Sequence, residues 1–220
     1  MRRVPFLVQS SFGVFFEFLG WIFYDLKFEG LENIREVELP IIYVCNHKSW
    51  IDHFIIIAGS LRRRGIVPIH LLVSDRVWEM PISGTVTWLL GAYPANKGKG
   101  IEISLAPLKK DLAKGECVGI YPEGGIERRK DIFGEQKVGA AYLAYHTGRE
   151  IVPIAIKGLE NLSVRGLLFG RRKVTLKFGK PFKVDAVTVG GNTPEETIEL
   201  GCKFVMSKII KLYRSISDWA

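Results

Sequence analysis

Apolar residues in this chain fall into short blocks whose spacing alternates between strand and helix periods. Ile41-Ile42-Tyr43-Val44-Cys45 is an unbroken apolar run of strand length. Cys117 to Tyr121, Ile151 to Lys157 and Lys173 to Phe178 are predicted to be strands as well. Asp25 to Gly30 is a candidate short strand, and Val67 to Ser74 another, interrupted early by Pro68. Between these runs the period is helical. The spacing predicts a helix over Val77 to Leu90 with kinks at Pro81 and Gly84, and a short extended piece at Ala92 to Ala95. Ile101 to Lys114 is predicted helical and ends at Gly115, and Gln136 to Thr147 ends at Gly148. The last helix carries the fullest set of signals. Thr193 is the N-cap, Pro194 takes the first helical position and Glu196 sits where a capping box needs it. Ile198, Cys202, Val205, Met206, Ile209, Leu212 and Tyr213 then fall on one face. Strands alternating with helices predict a single α/β domain with a largely parallel or mixed central sheet flanked by helices.

The first 26 residues stand apart. From Val4 to Phe23 the chain is almost wholly apolar and rich in aromatic residues, broken by Gln9-Ser10-Ser11 and by Glu17. A span needs about 20 apolar residues, and a central Glu is costly in lipid. Three arrangements fit: an interfacial anchor, a true span with Arg2 and Arg3 on the cytoplasmic side, or a helix packed on the core. The expectation is an amphipathic, membrane-associated helix over 1–26, with one domain over 27–220.

Composition narrows the partners. With 31 basic and 23 acidic residues the net charge is +8, which favours an anionic surface. The basic clusters Arg62-Arg63-Arg64, Arg128-Arg129-Lys130 and Arg171-Arg172-Lys173 strengthen that reading. No nucleic-acid motif accompanies the charge, so no nucleic-acid partner is expected. Cys45, Cys117 and Cys202 are odd in number and lack CxxC spacing, so they read as buried thiols in a reducing compartment.

The chemistry concentrates where the first strong strand ends, at Asn46-His47-Lys48-Ser49-Trp50-Ile51-Asp52. A histidine oriented by a carboxylate can turn a hydroxyl into a nucleophile. His47 and Asp52 are five residues apart, about 140° on a helix, so they meet only if His47 lies in the loop and Asp52 in the first helical turn. Ser49 as N-cap predicts that arrangement. Asp52 as a plain helix cap and His47 as an ordinary loop residue fit the spacing equally well. Tyr121-Pro122-Glu123-Gly124-Gly125 also follows a strand, and its glycines free backbone N–H groups to approach an anion. His53, His70 and His146 match no usual metal-ligand spacing, so no metal site is expected. Trp50 and Trp88 are expected in the core, with the wall of an acyl-chain tunnel as the alternative.

Four blocks in this order resemble those of the glycerophospholipid acyltransferases, the 1-acylglycerol-3-phosphate acyltransferase group. Asn46 to Asp52 is similar to the NHxSxxD signature. Gly91 to Lys97 is similar to the second block, with Lys97 where that family has Arg. Tyr121 to Gly125 resembles the FPEGTR block, and Ile151-Val152-Pro153-Ile154 the VPV block. Gln136 to Gly139 looks like the family's basic segment. The resemblance implies an O-acyltransferase domain over 27–220 and gives His47 the role of general base, with Asp52 holding its tautomer. Lys97, Glu123, Gly124 and Arg128 would serve the acceptor or its phosphate, and Asn46, Ser49 and Lys137 would support the site. The donor would be acyl-CoA or acyl-carrier protein, with no cofactor and no metal, and the acceptor a membrane lipid, 1-acylglycerol 3-phosphate foremost. The protein would sit on the cytoplasmic face of a membrane, the inner membrane in a bacterium. Gly125-Ile126 replaces the family's Thr-Arg, which opens two alternatives: another acceptor such as a lyso-aminolipid, or a non-catalytic lipid-binding protein.

Overall fold

The computed structural model describes residues 3–62, 68–163, 172–187 and 193–217. Among them, seven strands make one sheet: β1 (Tyr24–Glu29), β2 (Ile42–Cys45), β3 (Ile69–Val73), β4 (Tyr93–Pro94), β5 (Cys117–Ile120), β6 (Ile151–Lys157) and β7 (Arg172–Phe178). Their order is β1-β7-β6-β2-β5-β3-β4, parallel except for β6 against β7. The helices are α1 (Arg3–Phe23), α2 (Glu32–Arg35), α3 (Asp52–Ser60), α4 (Asp75–Glu79), α5 (Pro81–Leu89), α6 (Ile101–Ala113), α7 (Gly139–Thr147), α8 (Val184–Val187) and α9 (Pro194–Ser215). The mixed α/β sheet is the one predicted. The basic residues Arg2, Arg63, Arg64 and Arg171, and Val67 at the predicted start of β3, lie outside the described residues.

The pleat sorts the apolar run of β2 between two cores. Ile41, Tyr43 and Cys45 join Phe54 to Ile57 of α3, Phe16 of α1 and Leu90 on one face. Ile42 and Val44 join Leu105 and Leu108 of α6, Leu143 of α7 and Val205 and Ile209 of α9 on the other. A strand buried on both faces must be apolar at every position, which is why this run showed no alternation. The three cysteines are free and buried as expected. Thr193 accepts the Glu196 N–H at 3.2 Å, confirming the cap of α9.

Three local expectations change. The break in Val77 to Leu90 falls at Met80, where Pro81 starts α5, and Gly84 makes no kink. Gly84 instead lets the carbonyl of Trp78 approach: a Cβ there would lie 2.1 Å from that oxygen. α7 begins at Gly139 rather than Gln136, because the Lys137 N–H is taken by the carbonyl of Pro122. Trp50 and Trp88 are half exposed, 46% and 50%, rather than in the core.

α1 is docked along the domain. Phe12 and Phe16 stack on Phe54 with ring centroids 5.3 and 4.3 Å apart. Gln9, buried, donates to the carbonyls of Ile69 (2.9 Å) and Leu90 (2.7 Å) and accepts the Ile69 N–H (2.9 Å). Glu17 pairs with Arg62 just beyond α3, so the acid that interrupts the apolar stretch has a cation beside it. The opposite face leaves Leu7, Val14, Phe15, Phe18 and Ile22 exposed. No helix among the described residues is long and apolar enough to cross a membrane. The helix ends at Phe23, and β1, starting at Tyr24, pairs with β7 along its whole length.

Candidate active site

Parallel strands leave their carboxyl ends at one edge of a sheet, and the loops there form a crevice. β2 delivers His47 to that edge, β5 delivers Glu123 and Gly124, and β4 delivers Lys97. Asn46 extends the β2–β6 pairing with its side chain, donating to the carbonyl of Ile156 (2.9 Å) and accepting its N–H (2.8 Å). That pins the residue before His47 to the middle of the sheet.

His47 and Asp52 meet, with Nδ1 2.9 Å from Oδ2. The same carboxylate oxygen accepts the N–H groups of Lys48 (2.6 Å) and Ser49 (2.9 Å). The dyad forms and the helix-cap reading fails: the N–H groups that Asp52 accepts precede α3, and it makes no capping bond to the helix. Ser49 is not the N-cap. Its hydroxyl only accepts the Ile51 N–H at 3.4 Å, and α3 starts at Asp52 itself. Burial pushes the Asp52 carboxyl upward, while His47 and the Ser49 and Lys48 N–H groups pull it back. His47 is the partly exposed member of the run from Ile41 to Ser49, and its Nε2 makes no hydrogen bond among the described residues. An imidazole whose Nδ1–H is held by a carboxylate presents Nε2 as a base.

The loop over residues 121–138 wraps this dyad. Tyr121 stacks on the His47 ring, with centroids 4.0 Å apart and planes 16° from parallel. Burial raises the Tyr121 phenol well above its ordinary value, and Asp52 adds to the effect. Glu123 accepts the His47 N–H on Oε1 (3.0 Å) and the Gly134 N–H on Oε2 (2.7 Å). The Glu127 N–H in turn donates to the His47 carbonyl at 2.8 Å. Glu123 is thus buried and occupied by backbone. Gly124 lies next to it at φ +63°, a conformation that suits glycine, with its backbone at the exposed rim. Sequence reasoning did not find the roles of Tyr121, Glu127 and Gly134, because ring stacking and backbone bonds leave no trace in spacing.

The basic residues are spread around the rim. Lys97 is exposed, and its turn is fixed by Asp75, which accepts the Asn96 and Lys97 N–H groups at 2.8 and 2.9 Å. It stands three strand spacings from β2, about 14 Å in the hydrogen-bonding direction. Arg128 is exposed with no partner among the described residues, whereas Arg129 is paired with Glu127 and Lys137 with Glu135. His53 is buried, and its pKa is pushed down to about 3, chiefly by burial and then by the charges of His70 and His47. His70 lies elsewhere, in a buried group with Asp111 and Glu116 that spacing did not reveal. There Nδ1 donates to the carbonyl of Gly91 (2.7 Å), Nε2 is 3.0 Å from Glu116, and Tyr93 and Lys114 hold Asp111. Asp111 of α6, His70 of β3 and Glu116 just before β5 thus stand together, and the His70 Nε2 makes no hydrogen bond among the described residues.

A sheet-edge crevice with a His–Asp dyad and a glycine-bearing loop defines the class. The chain belongs to the Acyltransferase family, whose model matches residues 25–157 and so takes in all four blocks. A chloroplast 1-acyl-sn-glycerol-3-phosphate acyltransferase of Arabidopsis thaliana is 30% identical over 147 residues, covering 66% of this chain and 39% of that protein. A 1-acyl-sn-glycerol-3-phosphate acyltransferase of Bacillus subtilis (strain 168) is 27% identical over 158 residues, 69% of this chain and 73% of its own length. The alignment thus spans about two fifths of the plant relative. The fold is that of the 1-acyl-sn-glycerophosphate acyltransferase PlsC from Thermotoga maritima. The TM-score is 0.70 at 21% identity, over 96% of this chain and 80% of that one.

Proposed function

We propose that the protein transfers a fatty acyl group from an acyl thioester, acyl-CoA or acyl-carrier protein, to the free hydroxyl of 1-acylglycerol 3-phosphate, giving phosphatidic acid. The observation that carries this is the His47–Asp52 contact with Nε2 left free at the crevice. His47 Nε2 takes the hydroxyl proton as the oxygen attacks the thioester carbonyl. Asp52 holds the Nδ1–H tautomer and stabilises the imidazolium. The tetrahedral intermediate collapses, the C–S bond breaks, and the thiolate takes the proton back from His47. A thioester is already activated, so no covalent acyl-enzyme is needed. Gly125 offers its backbone N–H on the rim, while that of Gly124 is held by the Tyr121 carbonyl at 3.0 Å, and Lys97 and Arg128 supply charge for the acceptor phosphate.

Membrane association belongs to the same reading. The exposed apolar face of α1 (Leu7, Val14, Phe15, Phe18), together with Ile82 and Trp88 of α5, suits the boundary between headgroups and acyl chains. A net charge of +8 suits an anionic leaflet, the cytoplasmic one. The test is product analysis by lipid mass spectrometry with purified protein, a panel of donors and lysophosphatidic acid. His47→Ala should abolish the product, and full activity in that variant would end the reading. The departure at Gly125-Ile126 supports a second acceptor class, lyso-aminolipids, because Arg129 and Lys137 already have acid partners. The same panel separates the two, and no turnover with any pair would favour a lipid-binding protein.

A further inference from the structure

Lys48, the position the NHxSxxD signature leaves open, is 1% exposed, although a lysine is seldom buried without a carboxylate beside it. Its Nζ donates to the carbonyl of Arg129 at 3.0 Å and to that of Ile132. It lies over the ring of Phe133, 4.9 Å from the centroid, and 5.6 Å from that of Tyr213 on α9. No carboxylate is within ion-pair distance of it among the described residues. Both carbonyls, and Phe133, belong to the 121–138 loop, which contains no helix or strand. The cation therefore satisfies inward-facing loop carbonyls and two aromatic faces together, a set of partners that no apolar side chain satisfies.

The backbone around Lys48 explains what that achieves. Its own N–H donates to Asp52, the carboxylate that holds His47. His47, one residue earlier, has its N–H on Glu123 and its C=O on Glu127, both in the same loop. The loop and the dyad are thus joined on the main chain of His47 and again, on the inner side, through Lys48 Nζ. We propose that Lys48 is a positioning residue: its buried ammonium locks the 121–138 loop onto the dyad and so fixes His47 relative to the crevice. The inference rests on His47 acting as the base in the reading above, but the lock itself does not require turnover.

The test uses the full chain. Lys48→Met keeps length and removes charge and donors. Folding is checked by cooperative unfolding, and the readouts are kcat, KM for donor and acceptor, and amide hydrogen exchange. The expected kcat falls by roughly 10- to 100-fold, as for an ångström-scale misplacement of a catalytic group, with KM little changed. Exchange at the Glu127 and Gly134 amides rises selectively, while the amides of β6 and α9 keep their protection. Lys48→Arg, which keeps a cation among the carbonyls, recovers part of kcat. A residue that only filled space would instead lower the melting temperature and leave kcat at low temperature intact. Wild-type kcat with unchanged exchange at Glu127 and Gly134 overturns the proposal. Should Lys48→Met not fold, Phe133→Leu, which removes one aromatic face, must show the same selective rise; unchanged exchange there also overturns it. A wild-type protein inactive with every donor and acceptor would sink the functional reading alone, with the exchange pattern still deciding the lock.

Discussion

Replacing Asp52 by Asn isolates what its charge does. The amide oxygen can take the place of Oδ2 and still accept the His47, Lys48 and Ser49 N–H groups, so the loop geometry is kept. What is lost is the attraction between the carboxylate and the imidazolium that forms in the transition state. Nδ1 and Oδ2 are 2.9 Å apart. With the centres of charge about 4 Å apart and an effective dielectric near 20, that attraction is about 4 kcal/mol. The Asp52 side chain is fully buried but His47 is 19% exposed, so solvent screening reduces the effect, to about 2–4 kcal/mol. The corresponding loss in kcat is about 30- to 1,000-fold, at nearly constant KM. The assay is steady-state thioester cleavage with lysophosphatidic acid as acceptor, alongside His47→Ala and the double variant. Because the two residues work as a unit, the double variant should be no slower than His47→Ala. The amide NH2 would stand at the Oδ1 position, which has no protein partner, so a thermal melt must accompany the kinetics. A loss smaller than threefold in a well-folded Asp52→Asn, or fully multiplicative effects in the double variant, would refute the dyad.

Other expectations follow from the packing. His53 stays neutral in the fold down to about pH 3 but titrates near 6.5 when unfolded, so stability is whole above pH 6.5 and falls as pH drops from there toward 3. The steepest slope is about 1.4 kcal/mol per pH unit. Urea unfolding at several pH values checks it, and a slope unchanged in His53→Asn would count against it. Gln9→Ala strands the N–H and C=O of Ile69 and the C=O of Leu90, and should cost about 2–4 kcal/mol, read by chemical denaturation. It should also free α1 for proteolysis ahead of the rest of the domain. Burial raises the thiol of Cys45 well above its ordinary value and that of Cys202 as well, and Cys117 is equally buried. A thiol reagent should therefore label none of the three in the native state and all of them in urea, and rapid native labelling would contradict the packing.

Much of the fold was legible because strand and helix periods depend only on which faces must leave water. Ile41 to Cys45 and Ile151 to Ile156 are apolar throughout because both of their faces are covered, and Thr193-Pro194 starts α9 by purely local chemistry. Gly84 and Ser49 were misread for the opposite reason. Their roles come from a carbonyl and a carboxylate placed by their neighbours' folding, and residue type alone does not reveal where those land.

The sequence by itself determined that a histidine and an aspartate follow a buried strand, with glycines after a second one, in a chain carrying excess positive charge. Only the tertiary structure decided that Asp52 holds His47 and the preceding N–H groups at once, and that Glu123 faces backbone rather than solvent. It also decided that Lys48 turns inward under a loop some 80 residues later in the chain. Strand order is the physical reason. Placing β5 beside β2 brings residues 121–134 over His47, and contacts between segments so distant in sequence form only once the sheet has closed.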